Sequence, residues 1–182
     1  MKLETLFKCT LTGGTAALVL AVQIAGAQQK PVEPQARATP LASRPFPAEL
    51  AAYKARLFEL TEPGEKKYDA RFAHQLQSLV APQVAKNAKF LARLMSGPTD
   101  VGTYVVSGQH AYIYYGICQA HQCDNTTMDI LFDPARNRMV GKLLDSCVAT
   151  WLGQPAAAEM ALLDQRHHAT FPASVTTCAG EK

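Results

Sequence analysis

Hydrophobic residues recur at helical spacing through the region between about residues 48 and 95. A spacing of about 3.6 residues is typical of amphipathic helices, and here it predicts three of them. They cover roughly residues 50–60, 65–79 and 82–94. Glu62-Pro63-Gly64 ends the first helix and Ser96-Gly97-Pro98 ends the third, while Pro82 is assigned to the start of the third. This part of the chain is therefore expected to be helical.

Beyond residue 98 the pattern changes to short runs of aromatic and β-branched residues, which are typical of strands. Four such runs cover residues 104–106, 111–117, 127–132 and 139–144. The connections between them are too short for parallel crossovers, so we predict an antiparallel meander of about four to five strands. A final helix from Pro155 to about Arg166 would cover a face of this sheet. The predicted fold class is α+β, with the helices packed on one face.

The N-terminus has the features of a secretory signal peptide over residues 1–27. Two lysines accompany a short apolar run, and Ala25-Gly26-Ala27 supplies small residues for cleavage. Repeated prolines are typical of an extended tether over residues 28–47, and residues 48–182 are assigned to a single domain. We therefore expect a periplasmic protein whose mature chain does not span a membrane, with an uncut N-terminal anchor as the alternative.

The composition and charge of the chain argue against several classes of function. Of the 182 residues, 48% are hydrophobic and 18% are charged, which fits a folded domain rather than a disordered chain. The formal net charge is only +3, so the strong basic field typical of nucleic-acid binding is missing. The sequence contains no Gly-x-Ser-x-Gly motif, and we predict neither an enzyme nor a bound cofactor.

Export would place the cysteines in an oxidising compartment, where they form disulfides. Four cysteines remain after the signal peptide, and four allow three pairings. The short separation of Cys118 and Cys123 favours a bond between them, with a second bond between Cys147 and Cys178. Loop entropy predicts a stabilisation of roughly 2 kcal/mol for the short ring and roughly 3.5–4 kcal/mol for the long one. The long bond would therefore hold the C-terminal tail, and the short bond would shape a small loop.

This small loop, Gln119-Ala120-His121-Gln122, connects two predicted neighbouring strands. A disulfide across its base would hold the ends at about the separation of paired strands and push the middle outward. His121 would then stand near the tip, with few rotamers to lose on binding. Because imidazole can both donate and accept hydrogen bonds, we expect the loop to enter a partner's cleft that contains carboxylates.

A cysteine-bracketed loop with histidine at its third inner position resembles the loop of the inhibitor of vertebrate lysozyme (Ivy) family. The similarity continues through residues 112–117, 128–143 and 150–153. It implies a periplasmic inhibitor of c-type lysozyme, whose loop plugs the active-site cleft while the histidine binds the catalytic carboxylates. The best-known members carry Lys-Pro before the histidine and Asp after it, where this chain has Gln119, Ala120 and Gln122. The residues expected to bind the partner are Gln119, Ala120, His121, Gln122 and Asp124.

Other interpretations stay open at this point. The same fold could restrain the cell's own lytic transglycosylases or lack lysozyme inhibition, and a homodimer is open because some family members are dimers. A periplasmic solute- or metal-binding protein is a different class. The candidate metal ligands would be Cys118, Cys123, His110, His121, His167 and His168. Because thiols of exported proteins oxidise, we predict no metal site, and we place His167 and His168 at a helix end that favours cations.

Overall fold

The structure, a computed structural model, describes residues 44–179, which fold around one five-stranded antiparallel sheet. The strands are β1 (Thr103–Ser107), β2 (His110–Cys118), β3 (Thr127–Asp133), β4 (Arg138–Asp145) and β5 (Val148–Leu152). Each strand pairs with the next one in chain order, so the predicted α+β class and antiparallel meander are confirmed. The predicted signal peptide, residues 28–43 of the predicted tether and residues 180–182 lie outside the described residues.

Helices precede and follow the sheet along the chain. The helices are a 3₁₀ helix (Ala48–Tyr53), α1 (Leu57–Thr61), α2 (Ala70–Lys86), α3 (Phe90–Leu94), α4 (Ala157–Thr170) and α5 (Pro172–Ala179). Helix α4 corresponds to the final predicted helix. Helix α5 has no predicted counterpart, because its serine, valine and threonines have low intrinsic helix propensity.

The single helix predicted over residues 50–60 is wrong, because residues 54–56 interrupt it. The fully buried Ala55 accepts a hydrogen bond at its carbonyl oxygen from the N–H of Gly102 (2.9 Å), and the next residue forms an antiparallel bridge with Val101. The backbone groups of residues 55 and 56 are thus paired with residues 101 and 102, just before β1. A continuous helix would break this pairing and leave buried backbone groups without these partners.

Pro82 lies inside α2, so the prediction that it starts a third helix is wrong. Asp69 caps the start of α2, where its Oδ1 accepts two backbone N–H groups at 2.9 and 3.1 Å. The helix then continues through Pro82 to Lys86. Its buried face consists of Phe72, Ala73, Leu76, Leu79 and Val80. Burial of this face outweighs the backbone hydrogen bond that a proline inside a helix removes.

Helices cover both faces of the sheet, which corrects the expectation that they pack on one face. Successive residues of a strand point to opposite faces. In β2, Ile113 and Tyr115 pack in a cluster with residues of α1, α2 and α3, whereas Tyr112 and Tyr114 pack in a second cluster with residues of α4. Strand β3 is buried along its whole length. A sheet that is apolar on both faces needs a layer on each side.

Alternating strand directions place the connections at two ends of the sheet. The β1–β2 and β3–β4 turns lie at one end, and the β2–β3 connection and β4–β5 turn lie at the other. We call the second end the loop end, and residues 119–126 the β2–β3 loop. Both disulfides of the described chain, Cys118–Cys123 and Cys147–Cys178, lie at the loop end.

Candidate functional site

The β2–β3 loop is closed at its base by the bond between Cys118 and Cys123, whose Cα atoms are 5.0 Å apart. Two backbone hydrogen bonds also hold the ends of the loop together. Gln119 N–H donates to Thr126 O (3.1 Å), and Thr126 N–H donates to Gln122 O (2.8 Å). The loop is therefore held by a covalent bond and by its own backbone, so its shape does not depend on a partner.

His121 stands at the tip of this loop with an exposed side chain. The N–H of Gln122 donates to Gln119 O (3.0 Å) and closes a four-residue turn, in which His121 is the third residue. The backbone of His121 has φ +61°, in the left-handed region that histidine enters more readily than most residues. The turn thus presents the imidazole to solvent from a defined backbone conformation.

The other residues proposed to bind a partner differ in how accessible they are. Gln122 and Asp124 are exposed, and they lie on either side of Cys123. Gln119 and Ala120 are half-buried, and Oε1 of Gln119 is a buried atom without a hydrogen-bond partner. The side chains most available to a partner are therefore those of His121, Gln122 and Asp124.

The second disulfide, Cys147–Cys178, lies beside the same loop. Ser146 and Cys147 form the two-residue β4–β5 turn with φ +52° and +63°, the conformation of a type I′ hairpin. The N–H of Cys147 donates to Asn125 O (3.1 Å), and Sγ of Cys178 lies 3.7 Å from Asp124 O. Sequence reasoning assigned this bond only to the C-terminal tail, because nothing in the spacing of the cysteines shows that the β4–β5 turn meets the loop.

A buried hydrogen-bond chain lies between the sheet and the C-terminal helices. Nδ1 of His167 lies 2.7 Å from Oδ2 of Asp129, and Nε2 lies 2.8 Å from Oγ of Ser174. Tyr114 donates its hydroxyl to Oδ1 of Asp129 (2.6 Å). Burial, and then the nearby Asp129 carboxylate, raise the pKa of Tyr114 well above its ordinary value, so it remains a donor.

Asp129, His167 and Ser174 resemble a catalytic triad in their connectivity, but all three are buried. Asp129 and Ser174 are 0% exposed and His167 is 3% exposed, so a substrate could not reach the serine hydroxyl. The sequence analysis missed this chain, because it placed His167 at a helix end and gave Ser174 no role. The network holds α4 and α5 against β3.

The cysteines proposed as metal ligands are all bonded in disulfides, so none of their sulfurs is a free thiolate. Within residues 44–179 the structure has no group of three or more His, Cys, Asp or Glu side chains that could hold a metal ion. Across the same described range, no helix combines the length and the apolar character needed to cross a bilayer.

A loop that is held in one shape by a disulfide and by backbone hydrogen bonds would lose little conformational freedom on binding, so this arrangement is suited to contact with a protein partner. The sequence model of the family "Inhibitor of vertebrate lysozyme (Ivy)" matches residues 71–166, which is more than half of the chain. The chain belongs to this family of lysozyme inhibitors. The matched region begins in α2, includes the β2–β3 loop and ends in α4, so α5 and Cys178 lie outside it. Comparison with curated proteins and with solved structures gives no match.

Proposed function

We propose that the chain is a periplasmic inhibitor of c-type lysozyme, exported after cleavage of residues 1–27, and that it acts by inserting the β2–β3 loop into the lysozyme cleft. The observation that carries this proposal is the exposed imidazole of His121 at the tip of a loop that is closed by a disulfide and by backbone hydrogen bonds. Membership of the Ivy family supports lysozyme as the partner.

The chemistry of the partner explains why an imidazole suits this position. A lysozyme cleaves its substrate with one protonated carboxylic acid and one ionised carboxylate on either side of the scissile bond. His121 can donate a hydrogen bond to the carboxylate and can form a second hydrogen bond with the acid. Hydrogen bonds that involve a charged group contribute about 1.5–3 kcal/mol each, so two of them would make His121 a hot spot.

The rigidity of the loop adds to affinity. Ordering a flexible side chain or loop at an interface costs about 0.5–1.5 kcal/mol per immobilised side chain. Here the turn at residues 119–122 is already formed, and the exposed residues Gln122 and Asp124 follow His121 within this closed loop region. Most of the ordering cost is therefore met when the domain folds, before the partner is encountered.

The experiment compares His121→Ala with His110→Ala in a cell-wall lysis assay with a c-type lysozyme. His110 is also exposed, but it lies at the opposite end of β2, so the control removes the same group far from the loop. We expect His121→Ala to weaken inhibition by at least about 2 kcal/mol, which is about 30-fold in the inhibition constant. The control should inhibit like the wild type.

Three results would overturn the proposal. Equal inhibition by the two variants would remove His121 from the mechanism, and inhibition that survives reduction and alkylation of the folded protein would contradict the rigid-loop mechanism. A wild-type chain that leaves c-type lysozyme active but restrains an endogenous lytic transglycosylase, in a parallel assay on purified cell wall, would show that the partner is a different enzyme.

A further inference from the structure

The turn between α3 and β1 lies directly against the base of the β2–β3 loop. A Cβ atom added at Gly97 would overlap the carbonyl oxygen of Cys118 and would lie 2.7 Å from Ala120 N and 2.9 Å from the carbonyl carbon of Gln119. All three atoms are backbone atoms of the loop and its base, and none of them can swing aside as a side chain could. Position 97 therefore has room for glycine alone while the loop keeps its present position.

The neighbouring Ser96 makes the corresponding polar contact. Its Oγ accepts a hydrogen bond from the N–H of Ala120 (3.2 Å), and its hydroxyl donates to the carbonyl oxygen of Arg93 (2.6 Å). The hydroxyl therefore acts as a donor and as an acceptor at the same time. Arg93 in turn donates to Oδ2 of Asp145 (3.1 Å), at the end of β4. The end of α3 thus connects the loop to the hairpin that carries Cys147.

The chain beyond the turn is also tied to the strand that leads into the loop. Thr99 forms an antiparallel bridge with Ile117, and Asp100 N–H donates to Gly116 O (3.2 Å). The turn is therefore attached on one side to α3 and on the other side to β2. It cannot move away from the loop without breaking these backbone pairings.

We infer that Ser96 and Gly97 are positioning residues for His121: the backbone of the loop rests on them, and the absence of a side chain at position 97 sets how far the imidazole projects. This inference rests on the proposed function, and it adds residues outside the loop to the inhibitory site. The contacts described above are with backbone atoms of the loop and its base, and the side chains of His121 and Gln122 at the tip are exposed. Binding sites need their contact groups held within about 0.5 Å of the productive geometry, so even a small outward shift of the loop base would weaken binding.

The experiment compares Gly97→Ala and Ser96→Ala with the control Gly108→Ala. Gly108 lies in the β1–β2 turn at the far end of the sheet, with φ +59° and nothing within 4 Å of an added Cβ. Alanine there is strained by the backbone conformation and lowers stability without touching the loop. For each variant we would measure the melting temperature, the dissociation constant for c-type lysozyme, and the NMR resonances of the His121 ring in the free protein.

We expect Gly97→Ala to weaken binding at least about 10-fold and to shift the His121 ring resonances. Ser96→Ala should weaken binding about 3-fold and accelerate amide exchange at Ala120, which loses its acceptor. Gly108→Ala should melt at a lower temperature and still bind like the wild type. If Gly97→Ala does not fold, Ser96→Ala and the exchange rate of Ala120 decide the question.

The inference is wrong if Gly97→Ala folds and binds like the wild type, or if the loss of binding simply follows the loss of stability in all variants, Gly108→Ala included. Failure of the proposed function has a different signature, because the wild type itself would then not bind c-type lysozyme. In that case the His121 resonances and the Ala120 exchange rate of the free variants still show whether Ser96 and Gly97 position the loop.

Discussion

Removal of the Asp129 carboxylate tests whether the buried network holds the C-terminal helices in place. Asp129 is 0% exposed and accepts two hydrogen bonds, from Tyr114 at 2.6 Å and from Nδ1 of His167 at 2.7 Å. His167 continues the chain to Ser174, whose Oγ also lies 2.9 Å from the carbonyl oxygen of Phe171. Asp129→Ala therefore removes the acceptor shared by a buried tyrosine hydroxyl and a buried imidazole. The hydroxyl of Tyr114 keeps only Oγ1 of Thr170 (2.9 Å), and Nδ1 of His167 is left without a partner.

The expected loss can be estimated from these contacts. Each buried polar group left without a partner costs about 1–3 kcal/mol, and breaking a buried hydrogen-bonded pair by removing one member costs about 3–5 kcal/mol. We expect Asp129→Ala to lower the free energy of unfolding by about 4 kcal/mol. For a domain of this size, each kcal/mol lowers the melting temperature by roughly 4 °C, so the shift would be about 15 °C.

Asp129→Asn should cost much less, for a reason specific to this geometry. The amide can accept from Tyr114 and donate to Nδ1 of His167, if the ring proton moves to Nε2. Nε2–H can then donate to Ser174, whose own hydroxyl proton is directed to the carbonyl oxygen of Phe171. All partners stay satisfied, so we expect a loss of about 1–2 kcal/mol.

The assay is urea unfolding, with Asp164→Ala as the matched control. Asp164 also pairs with a basic side chain, at 2.7 Å from Nζ of Lys142, but it is 49% exposed, and such pairs contribute at most about 1 kcal/mol. If Asp129→Ala falls within 1 kcal/mol of this control, the network does not hold the helices and the reasoning fails.

Two further predictions concern the same scaffold. Replacing Cys147 and Cys178 together by serine should lower the free energy of unfolding in urea by about 3.5–4 kcal/mol. The double variant should also bind lysozyme more weakly, because this disulfide contacts the loop backbone. Unchanged affinity would show that the loop does not need this support. Burial by itself raises the pKa of Glu159, but hydrogen bonds from Arg138 (2.6 Å) and the N–H of Ala156 (2.8 Å) outweigh it, so the net pKa lies below 4.5. Its charged form therefore stabilises the fold above about pH 4.5, and this contribution is lost as the pH falls through the lowered pKa. Glu159→Gln should be less stable than the wild type at pH 7, and the difference should shrink as the pH falls below about 4.5; a difference that stays constant with pH in urea unfolding would contradict this.

Local patterns predicted the strands well and the first helices poorly. The four predicted strand runs are rich in β-branched and aromatic residues and are bounded by turn residues, so β1 to β4 follow from local preferences, whereas β5 (Val148–Leu152) had no predicted run of its own. The helix boundaries were decided by contacts between residues that are far apart in the sequence. Ala55 leaves the helical conformation because it pairs with Gly102, and Pro82 stays inside a helix because the buried face that precedes it, Phe72 to Val80, belongs to the core.

The sequence by itself determined the parts of the site that depend on neighbours along the chain. Cys118 and Cys123 are close enough to predict their bond, and the residues between them place His121 at a tip. It also determined the family resemblance, because that resemblance is carried by the loop and its flanking strands.

Only the tertiary structure decided what supports the loop. Gly97 and Cys147 are separated from His121 by more than 20 residues, and their approach depends on how α3 and the β4–β5 hairpin pack at the loop end. The same holds for the burial of His167 against Asp129, 38 residues away. Such contacts follow from the packing of whole elements, and no local pattern of residues encodes them.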